Sequence, residues 1–367
     1  MDVLVCTTQV PFMRGGLEMM VENLVDALGA AGHRAETVAV PAAWDRERLF
    51  DAPTAWRMLP LDADIVIPVN FPAYFARHPR KVLWLAHQHR AAYDGLGQSW
   101  SDLALDDASL EAHRQLVDWD GRVLAECLSR FTISGVVAER MRRFNGLDAT
   151  PLYQPPPLAD RLRPREPGRV GTHILCPTRL EANKRPGLFL DGLASMDASV
   201  DGVLTGTGSL RDDLEASAER LGLSQRLTMP GFVSDDQLVD LFRDALAVVY
   251  APYDEDYGFV TLQAFLAGVP VVTTDDSGGV LEWVEHGVTG LVTDGSPDGL
   301  GRALERFASY APRLGFALDR VHAGSTDWVD KATIDSFHTV WFELHEDLLA
   351  TLGRDRVSEL PDRSDEE

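Results

Sequence analysis

Lysine is nearly absent from this 367-residue sequence: Lys81, Lys184 and Lys331 are its only examples among 34 basic residues. Positive charge is scarce as a whole, since 57 acidic side chains leave a net charge of −23. Such a surface repels nucleic acid and anionic lipid heads, which argues against both as main partners. The deficit is uneven, with 15 basic against 21 acidic residues over 1–160 and 19 against 36 beyond. Cysteine is equally sparse. Cys6, Cys127 and Cys176 lie far apart in apolar runs, which excludes a disulfide framework or zinc spacing and predicts buried thiols. No run approaches the roughly 18 apolar residues of a membrane span. The opening MDVLVCTTQVPF has neither the charged leader nor the apolar stretch of a signal peptide, so the expected location is the cytoplasm. An acidic protein holds a small anion only where cations and backbone N–H groups are concentrated locally, and that requirement directs the search for a site.

Hydrophobic residues make up 45% of the chain, ample for packed interiors, and the length suggests two domains. Residues 2–6 (DVLVC) read as a buried parallel strand, followed by a loop and a helix with apolar positions Leu17, Met20, Val21, Leu24, Val25 and Leu28 that Gly32 ends. Further strands are expected at 63–69, 82–86 and 131–134, and a helix at 109–128. Tyr153-Gln154-Pro155-Pro156-Pro157 and the arginine-rich residues after it form an extended linker. Beyond it the pattern restarts, with strands at 173–176, 202–204, 246–250 and 269–273 and helices at 187–193, 210–221 and 261–267. Alternating strands and helices mean parallel α/β sheets, whose ligands bind at the carboxyl ends of strands. The run 334–352 is amphipathic and helical, and 353–367 is an acidic tail expected to be disordered.

Four segments fall at such strand ends. Gly15-Gly16-Leu17-Glu18 opens a helix whose N–H groups suit an anion, although a tight strand-to-helix turn explains it equally well. Residues 178–186 bring Arg179 and Lys184 to one loop; a compact ammonium suits a point contact to phosphate, and cations are mildly unfavourable at a helix start. Glu255-Asp256-Tyr257-Gly258-Phe259-Val260 precedes a helix carrying Gln263, where sugar recognition competes with ordinary acidic capping. His87-Gln88-His89-Arg90 ends a buried strand. Two lookalikes point elsewhere. Asp62-Ala63-Asp64 resembles a metal-binding pair but leads into a strand at its amino end, and Gly206-Thr207-Gly208 does not complete a dinucleotide fingerprint.

In order, these segments resemble the GT-B family of retaining glycosyltransferases, which includes bacterial mannosyl- and glucosyltransferases and is similar to glycogen synthase. The likeness runs from about residue 2 to 345 and adds the P-G-F-V turn at 230–233 and S-G-G-x-x-E at 277–282. It implies an α/β fold of two Rossmann-like parallel-sheet domains facing a central cleft. An acceptor domain would span 1–157, joined by the helix 334–352, and a nucleotide-sugar donor domain 158–333. It further implies that Arg179 and Lys184 hold the donor diphosphate with backbone N–H groups at Gly15–Gly16, and that Gly206, Phe232 and Val233 line the nucleotide site. Glu255 and the residues Tyr257, Gly258, Phe259 and Val260 would face the transferred sugar, with His87 near the reacting centre. No metal or resident cofactor is implied, the nucleotide diphosphate sugar being a substrate. The acceptor would be a soluble hydroxyl compound, a glycan or small natural product. Gln263 departs from the family glutamate that accepts from ribose hydroxyls. An epimerase or phosphorylase on the same fold, or an inactive binding protein, are the alternatives.

Overall fold

The computed structural model describes residues 1–9, 15–166, 169–196, 200–325 and 327–331, with isolated positions from 334 to 343. The tail 353–367 and most of the run 334–352 lie outside the described residues. Contacts gather the chain into two compact units. Unit 1 is Met1–Pro157 with Tyr253–Phe259 and Asp276–Glu282, and unit 2 is Leu158–Pro252, Val260–Asp275 and the chain from Trp283.

Unit 1 alternates β1 (Asp2–Gln9), α1 (Gly16–Ala30), β2 (Arg34–Pro41), α2 (Asp51–Met58), β3 (Ile65–Pro68), β4 (Val82–Leu85), α3 (Asp107–Ala125), β5 (Ser129–Thr132), α4 (Gly135–Asn145) and β6 (Thr150–Pro151). Its strands pair in parallel as β2-β1-β3 and β4-β5-β6, and bridges Val66↔Lys81 and Asn70↔His87 join β3 to β4. The chain therefore reverses direction across the sheet between β1 and β3, where Asn70 Oδ1 accepts from Thr8 N at 3.1 Å. Local chemistry sets the helix ends. Asp106 caps α3 by accepting from Ser109 N, and Ser134 caps α4 by accepting from Val137 N. Each of these bonds satisfies an N–H that the helix itself leaves unpaired.

Unit 2 contains β7 (His173–Pro177), α5 (Pro186–Ala194), β8 (Asp201–Thr205), α6 (Arg211–Arg220), β9 (Leu227–Gly231), α7 (Asp235–Arg243), β10 (Ala245–Val249), α8 (Phe259–Leu266), β11 (Val271–Thr274), β12 (Gly290–Thr293) and α9 (Pro297–His322). The six-stranded order is β12-β11-β10-β7-β8-β9, which numbered within the unit is the 3-2-1-4-5-6 arrangement of a doubly wound sheet. Every residue of β7, β10 and β11 is buried, which is why these strands are dominated by apolar residues, with His173, Thr273 and Thr274 the buried polar exceptions. Ile174, Phe189, Leu190, Leu193, Leu204 and Leu214 fill the core between sheet and helices. Each such side chain contributes about 1.5–3 kcal/mol on burial. Four strands had no counterpart in the sequence pattern: β2, β6, β9 and β12. All four are sheet edges.

Cys6, Cys127 and Cys176 are free, buried thiols, and burial raises their pKa values to about 12, 11 and 12. No helix among the described residues is long and apolar enough to cross a membrane.

Candidate active site

In unit 2 the strand order reverses between β7 and β10, so the loops leaving these two neighbouring strands diverge and leave a crevice at their carboxyl ends. Arg179 and Lys184 stand on the loop after β7. Arg179 is exposed, while Lys184 is half-buried with its Nζ 3.5 Å from the Tyr250 hydroxyl and 5.9 Å from the ring centroid, at the end of β10. Arg185 beside it is used differently: its guanidinium donates to the carbonyls of Ala251 and Pro252 at 2.9 and 3.0 Å and to Thr274 Oγ1 at 2.8 Å, tying the β7 loop to the ends of β10 and β11.

Gly206 and Gly208 hold that same loop. A Cβ at Gly206 would lie 1.9 Å from the Thr178 carbonyl oxygen, and one at Gly208 would lie 2.3 Å from that of Leu180. The G-x-G pattern thus answers to backbone packing against the segment that carries Arg179. Glu181 closes the arrangement by accepting from Ser209 N and Oγ at 3.1 and 2.7 Å. At the β9 end, Gly231 is buried while Phe232 is 83% exposed, a large apolar face open to solvent, followed by half-buried Val233.

In unit 1, Gly15 caps α1, and its N–H donates to Glu18 Oε2 at 2.8 Å, so the glutamate of the G-G-x-E loop serves the helix start. A Cβ on Gly16 would approach the Phe259 ring to 3.1 Å, so the glycine loop and the Tyr257–Phe259 segment are brought together. His87 sits on the bridge to Asn70, half-buried, with Nδ1 2.9 Å from the Gln88 carbonyl. A carbonyl only accepts, so Nδ1 carries the proton and Nε2 is left as the acceptor. Burial lowers the His87 pKa below its ordinary value against the opposing pull of Asp256, which keeps the ring neutral. Tyr257 is almost fully buried, its hydroxyl donating to the Gln154 carbonyl and accepting from Gln154 N at 3.0 Å. Its phenol is therefore committed to the segment 153–157, and only its backbone is offered to a ligand. Gly258 adopts φ +83, the left-handed region, directly before α8, whose Gln263 is buried.

The residues around Glu255 stand in a buried polar network. Arg140, on α4 and buried, pairs through Nε with Asp94, through Nη1 with Asp256 at 2.5 Å and through Nη2 with Asp254 at 3.2 Å. Arg90 donates to the carbonyls of Tyr253 and Asp254 at 3.1 and 2.6 Å, and its side chain lies 3.8 Å from Asp256. Arg143, exposed, reaches the other oxygen of Asp94 at 3.7 Å, so three arginines meet three carboxylates. Burial raises Asp254 to about 6, whereas Arg140 and Arg90 hold Asp256 below its ordinary value despite deeper burial. Glu255 itself is fixed by its backbone, its N–H donating to Ser277 O at 3.2 Å and its carbonyl accepting from Gly279 N at 2.6 Å. A Cβ on Gly278 or Gly279 would come within 2.7 or 2.8 Å of the 254–256 backbone, which explains the paired glycines of the S-G-G-x-x-E segment. Glu282 then accepts from the N–H groups of Gly135 and Val136 at 3.1 and 2.7 Å, at the start of α4.

Sequence reasoning missed Arg140, Asp94 and Asp254, and it gave Glu282 only as the last residue of the S-G-G-x-x-E segment, with no role. The one available signal was Arg140 falling on the buried stripe of α4 with Val137 and Met141. The D-x-D lookalike is placed at the amino end of β3, where Asp64 Oδ2 accepts from Asp2 N at 2.8 Å.

Residues 171–312 match the family model described as glycosyl transferases group 1. A GDP-mannose-dependent alpha-(1-6)-phosphatidylinositol monomannoside mannosyltransferase of Mycobacterium tuberculosis is 27% identical, over 89% of this chain and 93% of its own. Among solved structures, sucrose-phosphate synthase from Thermosynechococcus elongatus aligns with a TM-score of 0.65 at 17% identity, over 95% of this chain and 99% of that one. The Anabaena protein HepE in complex with UDP-glucose aligns with a TM-score of 0.61, also at 17% identity and over the same shares. None of those named is an epimerase or a phosphorylase.

Proposed function

We propose that this chain, a glycosyltransferase of the GT-B fold with a group 1 domain over residues 171–312, moves a hexosyl group from a nucleoside diphosphate sugar to a hydroxyl acceptor with retention of anomeric configuration. The observation that carries this reading is the position of Lys184 beside Tyr250, across the β7–β10 reversal, on a loop that also bears Arg179. In a chain of net charge −23, two cations at a sheet switch point are the kind of local concentration a diphosphate requires.

In this mechanism Arg179 and Lys184 bind the diphosphate and stabilise the charge that grows on it as the bond from anomeric carbon to phosphate oxygen breaks. The acceptor oxygen forms its new bond on the same face, and its proton passes to the departing phosphate oxygen. Glu255 and the backbone of residues 257–259 hold the sugar, and His87 Nε2 accepts from one of its hydroxyls. The catalytic power lies in positioning and charge stabilisation, with no protein nucleophile and no divalent metal. Removing one preorganised donor of this kind typically costs about 10²–10³ in rate. Phe232 and Val233 pack on the base, Gly206 borders the nucleotide, and Gln263 reaches the ribose. The acceptor is a soluble glycan or small molecule, given the 15 to 21 charge balance of residues 1–160.

The test is a thermal-shift screen over UDP-, GDP- and dTDP-sugars, since ligand binding raises the melting temperature. GDP-mannose comes first because the mycobacterial relative is named for it. Nucleotide release is then followed with candidate hydroxyl acceptors. A shift by one sugar nucleotide with acceptor-dependent release supports transfer. Conversion of the donor without acceptor, or no shift by any donor, overturns it.

A further inference from the structure

We propose that Arg140 is the positioning residue of the sugar site: its guanidinium, seated by Asp94, grips Asp254 and Asp256 and so sets where Glu255 between them stands. The proposal rests on the assignment of Glu255 to the transferred sugar.

The argument begins with the loop's conformation. Asp254 adopts φ +44, a left-handed backbone that an L-residue reaches only against steric cost. Something must hold it there. The Asp254 carboxylate meets Arg140 Nη2 at 3.2 Å and the Asp256 carboxylate meets Nη1 at 2.5 Å, so one rigid planar group fixes the residues on either side of Glu255. Arg90 fixes the preceding carbonyls of Tyr253 and Asp254, and the 277–279 segment takes the N–H and C=O of Glu255 itself. These constraints act on the loop's backbone and on the flanking aspartates.

Arg140 earns no such burial by stability alone. Its side chain is 1% exposed, and taking a guanidinium and its carboxylates out of water is costly. A helix that sought only stability would place an apolar residue there beside Val137 and Met141. What the ion pair supplies instead is direction, because a guanidinium fork donates to its carboxylates in one plane. Asp94 completes the device from the far side, pairing with Nε and orienting the fork before the loop is engaged. With the residues on both sides tied to one guanidinium and its own N–H and C=O taken by the 277–279 segment, the backbone of Glu255 is left little freedom to turn.

The experiment measures binding by calorimetry for a diphosphate and its sugar nucleotide, UDP with UDP-glucose and GDP with GDP-mannose, using the pair the wild type prefers. The sugar's share is the ratio of the two dissociation constants. Arg140→Met and Glu255→Gln are each expected to cut that ratio about tenfold, with bare diphosphate affinity within about twofold of wild type, and the double variant no worse than either single. Asp94→Asn, which leaves the cation in place and loosens its seat, is expected to give a smaller loss of the same kind and serves if Arg140→Met does not fold. Equal loss of both affinities, multiplicative effects in the double variant, or an unchanged ratio in Arg140→Met or Asp94→Asn would overturn the proposal. Failure of the wild type to bind any pair, or an unaltered ratio in Glu255→Gln alone, would instead remove the assignment of Glu255.

Discussion

Replacing Gly206 by alanine isolates the packing that holds the proposed diphosphate loop. The backbone there has φ +109, and the new methyl would lie 1.9 Å from the Thr178 carbonyl oxygen, so one of the two must retreat by about 1 Å to reach a tolerable contact. Neither is loose: Gly206 N donates to Gly231 O at 2.8 Å, and Thr178 N donates to Thr205 O at 3.3 Å. A side chain at positive φ costs about 1–2 kcal/mol, and overpacking of this kind adds about 1–3 kcal/mol, for a total of about 2–5 kcal/mol. Gly222 supplies the control, because it has φ +71 with nothing within 4 Å of a built Cβ. Gly222→Ala therefore carries the backbone cost alone, about 1–2 kcal/mol. The retreat of Thr178 also carries Arg179 with it, and a displacement of about 1 Å at a binding group is enough for a loss near 10². Urea unfolding compares the two variants in stability, and calorimetry with UDP or GDP compares them in binding. Should Gly206→Ala match Gly222→Ala in both, the close approach has no consequence and the reasoning fails.

Lys184→Ala should weaken binding of the preferred diphosphate about 10- to 150-fold, the range for losing a hydrogen bond to a charged group of about 1.5–3 kcal/mol, and an unchanged calorimetric affinity would place the diphosphate elsewhere. Gln263→Glu should preserve or tighten donor binding, by about 1 kcal/mol if the carboxylate accepts from the ribose; a large loss would remove Gln263 from that role. His89 makes an acid-sensitivity prediction. Burial lowers its pKa from 6.5 to about 4, so the folded protein resists a proton that the unfolded chain takes up. Its contribution is present above pH 6.5 and is lost as pH falls from there toward 4, with a ceiling of about 3 kcal/mol. In His89→Gln the fall in stability over that interval, read from urea unfolding at each pH, should be shallower than in wild type. Parallel curves would show that His89 titrates normally.

What the sequence disclosed and what it hid follow from burial. Strands β7, β10 and β11 are interior to their sheet and buried on both faces, and their largely apolar runs were legible. The edge strands were not. Residues 34–41, RAETVAVP, are exposed at five positions and half-buried at three, and β9 reads LTMPG, so neither has the apolar run that announces a buried strand. The strand-end loops were legible because topology assigns ligands to that edge before any contact is known. Arg140 was hidden for another reason. Its partners Asp254 and Asp256 lie 114 and 116 residues away, and the local stretch AERMRRFN offers three arginines of similar appearance. Two of them, Arg142 and Arg143, are exposed. Only the helical period, which sets Arg140 on the face of Val137 and Met141, separates the buried one from its neighbours.

The rarity of lysine has a structural meaning that is narrower than function. Lys81 is wholly buried, and its ammonium donates to the carbonyls of Tyr74, Ala76 and Val123 at 3.0, 3.1 and 3.0 Å while pairing with Glu126. Carbonyls converging on one point from several directions suit a compact ammonium, and a planar fork cannot meet them all. Lys331 shows the opposite case, an exposed pair with Asp327 one helical turn away. Lys81 thus marks a place where a point charge fits and a fork does not, a carbonyl cage. Lys184 is held differently, its Nζ 3.5 Å from the Tyr250 hydroxyl at the switch point of the unit 2 sheet. Its assignment to the diphosphate therefore rests on where the loop stands, and lysine scarcity by itself would have nominated Lys81 just as strongly.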